Sequence, residues 1–276
     1  MFQYAAGRAL AVRLGIPLEL DISGFDTYRL HQGFHLSHAF CIDTELASVQ
    51  SIHAMLGWQS GTLPRRWLRR PYLKWLRKRA LVMEPSFTYW DGWRDLAGPC
   101  YLSGYWQSPK YFLSAESQLR ADFSFRHCDE PRLPQLLHEV ANCQSVAIHV
   151  RRGDYITNPA AFRVHGVCST QYYANALRCV EAQVESPNYY VFSDDMAWVR
   201  TQEMFPSTTT YVQLTSAVAE LQLMSTCRHQ IIANSTFSWW AAWLNQYPQQ
   251  LVVAPKRWFS AGLSADDLIP RAWLQI

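Results

Sequence analysis

Val146-Ala-Ile-His-Val-Arg-Arg-Gly-Asp-Tyr155 is an apolar run, broken only by His149, that ends abruptly in Arg151, Arg152, Gly153 and Asp154. A run of this kind reads as a strand buried on both faces of a parallel sheet, with the charged break as the loop at its carboxyl end. Ligands of open α/β sheets sit at that edge. Arginine offers a planar fork that grips phosphate oxygens, and a glycine beside it lets the backbone turn tightly. The loop is therefore expected to hold a phosphodiester or pyrophosphate. The alternative is a surface turn whose charges pair with one another.

Working downstream, Thr170 to Val184 has helical spacing, and Tyr189-Tyr-Val-Phe192 is a strand ended by Ser193-Asp194-Asp195. Two adjacent carboxylates suggest a metal site, but before an aliphatic helical pattern they are better read as a helix cap with first-turn acids. Between 216 and 244, Val218, Leu221, Met224 and Ser225 mark a helix face, and Gln230-Ile-Ile-Ala233 is a short strand. Asn234-Ser-Thr-Phe-Ser-Trp-Trp-Ala-Ala-Trp-Leu244 then opens a helix with small polar residues, whose free amides and hydroxyls suit an anion. The half thus holds two strand-ending phosphate candidates about 80 residues apart. Leu251-Val-Val-Ala-Pro255 reads as the last strand.

Upstream, Met1 to Gly15 is a helix with Phe2, Ala5, Ala6, Ala9 and Val12 on one face and Gly15 as its cap, followed by a strand at Pro17 to Asp21. From Ile22 to His53 no period is visible. His31, His35 and His38 have near-helical spacing, but no carboxylate or cysteine at ligand spacing accompanies them. Pro64 to Arg79 contains eight basic residues interleaved with Trp67, Leu68, Tyr72, Leu73, Trp75 and Leu76. It is either an amphipathic helix packed on the domain or a surface that lies on an anionic membrane, and Pro71 splits it into a kink or two short helices. Tyr101 to Trp106 is strand-like, Ser108 and Pro109 open a helix, and Trp106, Gln107 and Lys110 fall at that corner. Prolines and charges between Asp129 and Pro134 mark the domain boundary, giving 1–130 and 131–276.

Composition limits the classes of function. Apolar residues make up 49% of the 276 and there are 12 Trp, so the chain is globular, with most Trp in the core. A net charge of +3 is too small to argue for nucleic acid. Seven scattered Cys without a C-x-x-C pair signal neither a disulfide framework nor zinc, and reduced thiols of a cytosolic protein fit best. Cys227 and His229 lack partners at ligand spacing. No apolar run of about 18 residues is present.

Taken together, His149-Val-Arg-Arg-Gly-Asp-Tyr155, Phe192-Ser-Asp-Asp195 and Ile232-Ala-Asn-Ser-Thr-Phe-Ser-Trp-Trp240 resemble the ordered motifs of the α-1,2-fucosyltransferases of glycosyltransferase family 11. Met1-Phe-Gln-Tyr-Ala-Ala-Gly-Arg-Ala-Leu10, Gly104-Tyr-Trp-Gln-Ser108 and His165-Gly-Val-Cys168 are similar too. The resemblance implies an α/β, GT-B-like fold of two Rossmann-like domains, with GDP-fucose bound by the C-terminal half and a glycan acceptor in the cleft. It implies inverting transfer of L-fucose to the 2-hydroxyl of a galactoside, without a metal or other cofactor. A protein O-fucosyl type enzyme, which shares the Arg loop and the Ser-Thr-Phe turn, and a non-catalytic GDP-sugar- or glycan-binding module are the alternatives. Arg151 then resembles the arginine on the β-phosphate, supported by Arg152, with His149 near the nucleotide. Asn234, Ser235, Thr236 and Phe237 match the phosphate-binding turn. Glu220 stands where relatives carry an acidic residue, often Asp, that reads guanine. Trp106 and Gln107 fall on the acceptor side. Asp154 is a candidate base for the acceptor hydroxyl, with Asp21, Asp194 and Glu84 as alternatives. Relatives usually place a strand and a glycine-rich turn just before the Met-Phe-Gln that opens this sequence. Residues 1–276 are thus expected to turn over less than a form carrying that turn. The expected location is cytoplasmic, with 65–79 touching the inner membrane peripherally.

Overall fold

The structure is a computed structural model of the 276-residue chain, described here for residues 1–25 and 33–276. His31, and with it the histidine spacing noted above, lies outside the described residues. The chain forms two compact units, Met1–Arg126 with Asp266–Leu268, and His127–Ala265 with Ile269–Ile276. Both are mixed α/β with parallel strands, in keeping with a GT-B-like class.

In the N-terminal unit the helix Phe2–Leu14 ends at Gly15, which adopts a left-handed φ of 65° and donates its N–H back to Ala11 and Val12. Phe2, Tyr4, Ala5, Ala6, Ala9 and Leu10 are buried, whereas Val12, expected on that face, is exposed. Four short strands follow: β1 (Glu19–Leu20) pairs with β2 (Glu45–Leu46), and β3 (Leu81–Met83) with β4 (Tyr101–Ser103). The aperiodic stretch after Ile22 contains β2 and the helices Leu36–Ala39 and Val49–Leu56. β2 and Leu36–Ala39, of two and four residues, are too short to print a period, and the eight-residue helix Val49–Leu56 only begins within the stretch. Ser108 caps a 3₁₀ turn with Pro109 at its first position, and its hydroxyl donates to Asp267 O at 2.7 Å. Asp267 also pairs with Lys110 and accepts from Tyr89 N, which ties 266–268 to this unit.

The C-terminal unit is built on β5 (Ser145–Val150), β6 (Asn188–Ser193), β7 (Thr210–Tyr211), β8 (His229–Ile231), β9 (Val252–Ala254) and β10 (Leu274–Gln275). All pairings are parallel, in the order β10-β9-β8-β5-β6-β7. All six residues of β5 are buried, as its unbroken apolar run requires. Val146, Ile148 and Val150 pack under Tyr172, Tyr173, Ala176, Leu177 and Val180 of the helix Thr170–Glu181. Gln230 of β8 donates its amide to Met224 O and Ala241 O, fastening the strand to the helices Ala217–Thr226 and Thr236–Leu244. The expectation that the sheet ends near 251–255 is corrected, because β10 adds an edge strand beyond β9. A two-residue exposed Leu-Gln carries no alternation to reveal it.

Candidate active site at the carboxyl edge of the sheet

From β5 the chain runs to β6 and β7 on one side, then returns to place β8 on the other flank of β5. The direction of winding reverses between β5 and β8, and the crevice outside their carboxyl ends is where such sheets bind ligands. Both corners that the sequence singles out as anion candidates lie there.

The first corner is tightly wired. A Cβ on Gly153 would lie 2.6 Å from Asp194 Oδ2, so only glycine lets that carboxylate come in from the end of β6. Asp194 accepts from Arg152 N at 2.8 Å and pairs with Arg151 Nη1 at 2.9 Å. Arg151 Nη2 reaches Asp154 Oδ1 at 2.6 Å, and the guanidinium lies over the Tyr155 ring. Arg151 Nε is buried without a hydrogen-bond partner among the described residues, although the side chain as a whole is 28% exposed. Arg152 has a different role. It stacks 3.6 Å above the Trp198 ring and pairs with Asp195, whose other oxygen caps the helix Met196–Thr201. Asp195 thus fulfils the cap reading, while Asp194 is the arginine holder. No cluster of three or more potential metal ligands occurs among the described residues.

The second corner begins with Asn234, which is buried. Its amide donates to His165 O at 2.9 Å and Trp258 O at 3.2 Å, and its oxygen accepts from Cys168 Sγ at 3.5 Å. With its polar atoms used in this way, Asn234 clamps three loops together and positions the turn after it. Ser235 caps the helix Thr236–Leu244 by accepting from Phe237 N, and Thr236 and Phe237 lie half-buried in its first turn. Two contacts join the corners. His149 Nδ1 is 2.9 Å from Ser238 Oγ, its ring lying against Phe237, and the Tyr155 hydroxyl donates to Asn234 O at 3.3 Å. Burial, reinforced by Arg151, lowers His149 to a pKa of about 3, so the imidazole is neutral at ordinary pH.

Replacing Asn234 with Ala should cost about 2–4 kcal/mol, because two buried carbonyls lose their donor. Asn234→Asp should do no better, since an oxygen would face those carbonyls. A melting temperature unchanged in both variants removes the clamp role.

Glu220 sits in the first turn of the helix Ala217–Thr226, half-buried, with Oε1 accepting from Leu214 N and Oε2 without a hydrogen bond among the described residues. Burial raises its pKa. In the N-terminal unit the expectation for Trp106 is corrected. Its side chain is 1% exposed and its ring packs between Trp93 and Tyr111, so it is core and offers no face to a sugar. Gln107 next to it is half-buried. The exposed aromatic at this corner is Tyr105, stacked on Phe87 at 5.6 Å, while Glu84 accepts from the N–H groups of Tyr105 and Trp106. Glu84 and Asp21, the latter bonded to Arg65 and Tyr101, line an open cavity of ≈ 1600 Å³ within this unit.

The residues that hold this candidate site together without having been singled out in the sequence are Ser238, Tyr155, Trp198 and Tyr173, whose hydroxyl donates to His149 O. Ser238 had a local signal, since it lies one helical turn after the cap serine.

The family described as Glycosyl transferase family 11 matches residues 95–276. An Escherichia coli Alpha-1,2-colitosyltransferase is 32% identical over 282 residues, spanning 100% of this chain and 94% of that protein. The O-antigen biosynthesis glycosyltransferase WbnK of Escherichia coli is 39% identical over 140 residues, 49% of this chain and 45% of its own length. The bovine Galactoside 2-alpha-L-fucosyltransferase SEC1 is 34% identical over 104 residues, 36% of this chain and 28% of its own length. With a family description spanning most of the chain and a relative aligned along all of it, this enzyme, a glycosyltransferase of fucosyl type, belongs to glycosyltransferase family 11.

Proposed function

We propose that the chain transfers L-fucose from GDP-fucose, with inversion, to the 2-hydroxyl of a galactoside on a bacterial surface-glycan precursor in the cytoplasm. The observation that carries this reading is the joining of the Arg151 loop to the Ser235 corner at the β5–β8 switch point. In the reaction the bond from the anomeric carbon to the β-phosphate oxygen breaks, and a bond from the acceptor oxygen to that carbon forms. The acceptor proton passes to a base, and the electron pair leaves with GDP. Charge building on the diphosphate is met by the Arg151 guanidinium, held by Asp194, and by the first amides of the helix Thr236–Leu244, without a metal. Glu220 accepts from guanine N1–H and N2–H through its free oxygen. If Arg151 turns from Asp154 to the β-phosphate, Asp154 is released as the base; Asp21 and Glu84 are its competitors.

The relative aligned along the whole chain supports a second donor, because colitose is the 3-deoxy analogue of L-fucose. Incubation with GDP-fucose or GDP-colitose, with lactose, N-acetyllactosamine or a folded peptide domain as acceptor, separates these readings. Expected are GDP release and a fucosylated galactoside. Transfer from GDP-colitose alone changes the donor, and fucosylation of the peptide alone replaces the acceptor. Glu220→Gln should raise KM for the GDP-sugar about 10- to 100-fold, since one neutral amide replaces two charge-assisted bonds. An unchanged KM removes Glu220 from the guanine site.

A further inference from the structure

No helix among the described residues is long and apolar enough to cross a membrane. The segment around residues 57–79 nevertheless has the chemistry of a surface that meets one. Between Leu46 and Met83 the sequence has no Asp or Glu, yet it holds Arg65, Arg66, Arg69, Arg70, Lys74, Arg77, Lys78 and Arg79. The remaining 17 Lys and Arg face all 22 Asp and Glu, so the rest of the chain is net negative. Pro71 divides the segment as its sequence requires, into the helix Thr62–Leu68 and the 3₁₀ helix Pro71–Leu76.

Local packing decides which side chains remain outside. Leu56, Leu68, Leu73 and Leu81 form a small core that pins these helices to the unit. The arrangement is locked by Gln59, whose amide donates to Leu76 O and whose oxygen accepts from Lys78 N, and by Arg77 donating to Leu68 O. Four leucines cannot cover the other apolar residues, so Trp75 is 79% exposed, Leu63 77% and Tyr72 65%, with Trp58 and Trp67 also exposed. Arg66, Arg69 and Lys74 form no ion pair or hydrogen bond through their side chains among the described residues. Trp and Tyr rings settle at the headgroup level of a bilayer, with cations beside them on anionic lipid.

We propose that this surface docks the enzyme reversibly on an anionic phospholipid membrane, with Trp67, Tyr72, Trp75 and Leu63 entering the interface and the surrounding Arg and Lys neutralising the headgroups. Arg66, Arg69 and Lys74 also border the cavity of the N-terminal unit, so docking brings that cavity to the bilayer. This inference does not depend on the donor or acceptor assigned above.

The test is flotation of the full chain with phosphatidylcholine vesicles, with and without phosphatidylglycerol, at low and at molar salt. Binding is expected only with phosphatidylglycerol, and salt should weaken it sharply. Replacing Arg69, Lys74 and Arg79 together with Gln should lower the partition coefficient about 100-fold. Trp67→Ser with Tyr72→Ser and Trp75→Ser should abolish what survives in salt. Far-ultraviolet circular dichroism verifies that each variant folds, and either set alone suffices if the other does not. Absence of binding by the folded wild type overturns the proposal, as does binding that salt leaves intact or that both variant sets retain. Sedimentation showing a dimer that Trp75→Ser dissolves, without lipid binding, assigns the surface to a second copy instead.

Discussion

Arg151→Ala is expected to lower kcat for sugar transfer by about 100- to 1,000-fold, the usual consequence of removing one preorganised donor from a developing anion. The fall should appear mainly in kcat, because the guanidinium matters most when the diphosphate gains charge on leaving. Fold stability should change little. Asp154 and Asp194 are both partly exposed, and an ion pair in contact with water contributes on the order of 1 kcal/mol or less. Arg151→Lys should recover only a fraction, since an ammonium cannot hold Asp194 and a phosphate oxygen with a planar fork. Arg152→Ala should behave in the opposite manner. It removes the stack on Trp198 and the pair with Asp195, so melting temperature falls more than kcat. Free guanidinium added to the Ala variant provides a positive readout, because partial rescue requires a cavity of the right shape. If Arg151→Ala turns over at near wild-type rate, the leaving-group role is lost and the corner at Ser235 must act alone.

These two arginines show what was legible in the sequence. The apolar run ending in Arg-Arg-Gly-Asp encodes a buried strand and a charged edge, because both are local consequences of residue order. Which arginine stacks away on Trp198 and which stays at the edge with Asp154 is not local. It is set by Asp194 and Asp195, about 40 residues later, arriving beside the loop on the neighbouring strand. The same holds for the joining of His149 to Ser238 and of Asn234 to His165, which span 89 and 69 residues. Trp106 was misplaced for a related reason. An aromatic at a strand-to-helix corner looks the same in sequence whether it faces a sugar or packs between Trp93 and Tyr111. The basic segment was readable in outline, since Pro71 must interrupt a helix, but the division between Leu68 and Leu73 inside and Trp67 and Trp75 outside is decided by packing against Leu56 and Leu81.

His149 should make the protein lose stability on acidification through a window set by its own burial. In the unfolded chain a histidine titrates near about 6.5. In the fold its pKa is lowered to about 3, first by burial and then by Arg151, with Asp194 opposing. The fold therefore binds the neutral form, and its contribution is fully present above the unfolded value. As pH drops from there towards 3, the unfolded state takes up the proton while the folded state does not, and stability falls by about 1.4 kcal/mol per unit. By pH 5 the loss from this residue should be about 2 kcal/mol. His165 and His229 are also lowered by burial, so the wild-type slope contains their share and only a difference isolates His149. His149→Gln keeps a polar group near Ser238 and removes the titration. Urea midpoints of both proteins at pH 7 and pH 5 supply that difference. The variant should be less stable at pH 7 but lose less on going to pH 5, so the two curves converge. Parallel curves would mean that His149 takes up a proton in the fold as readily as in the unfolded chain, and the neutral imidazole between Ser238 and Phe237 could no longer be the link that holds the two anion corners together.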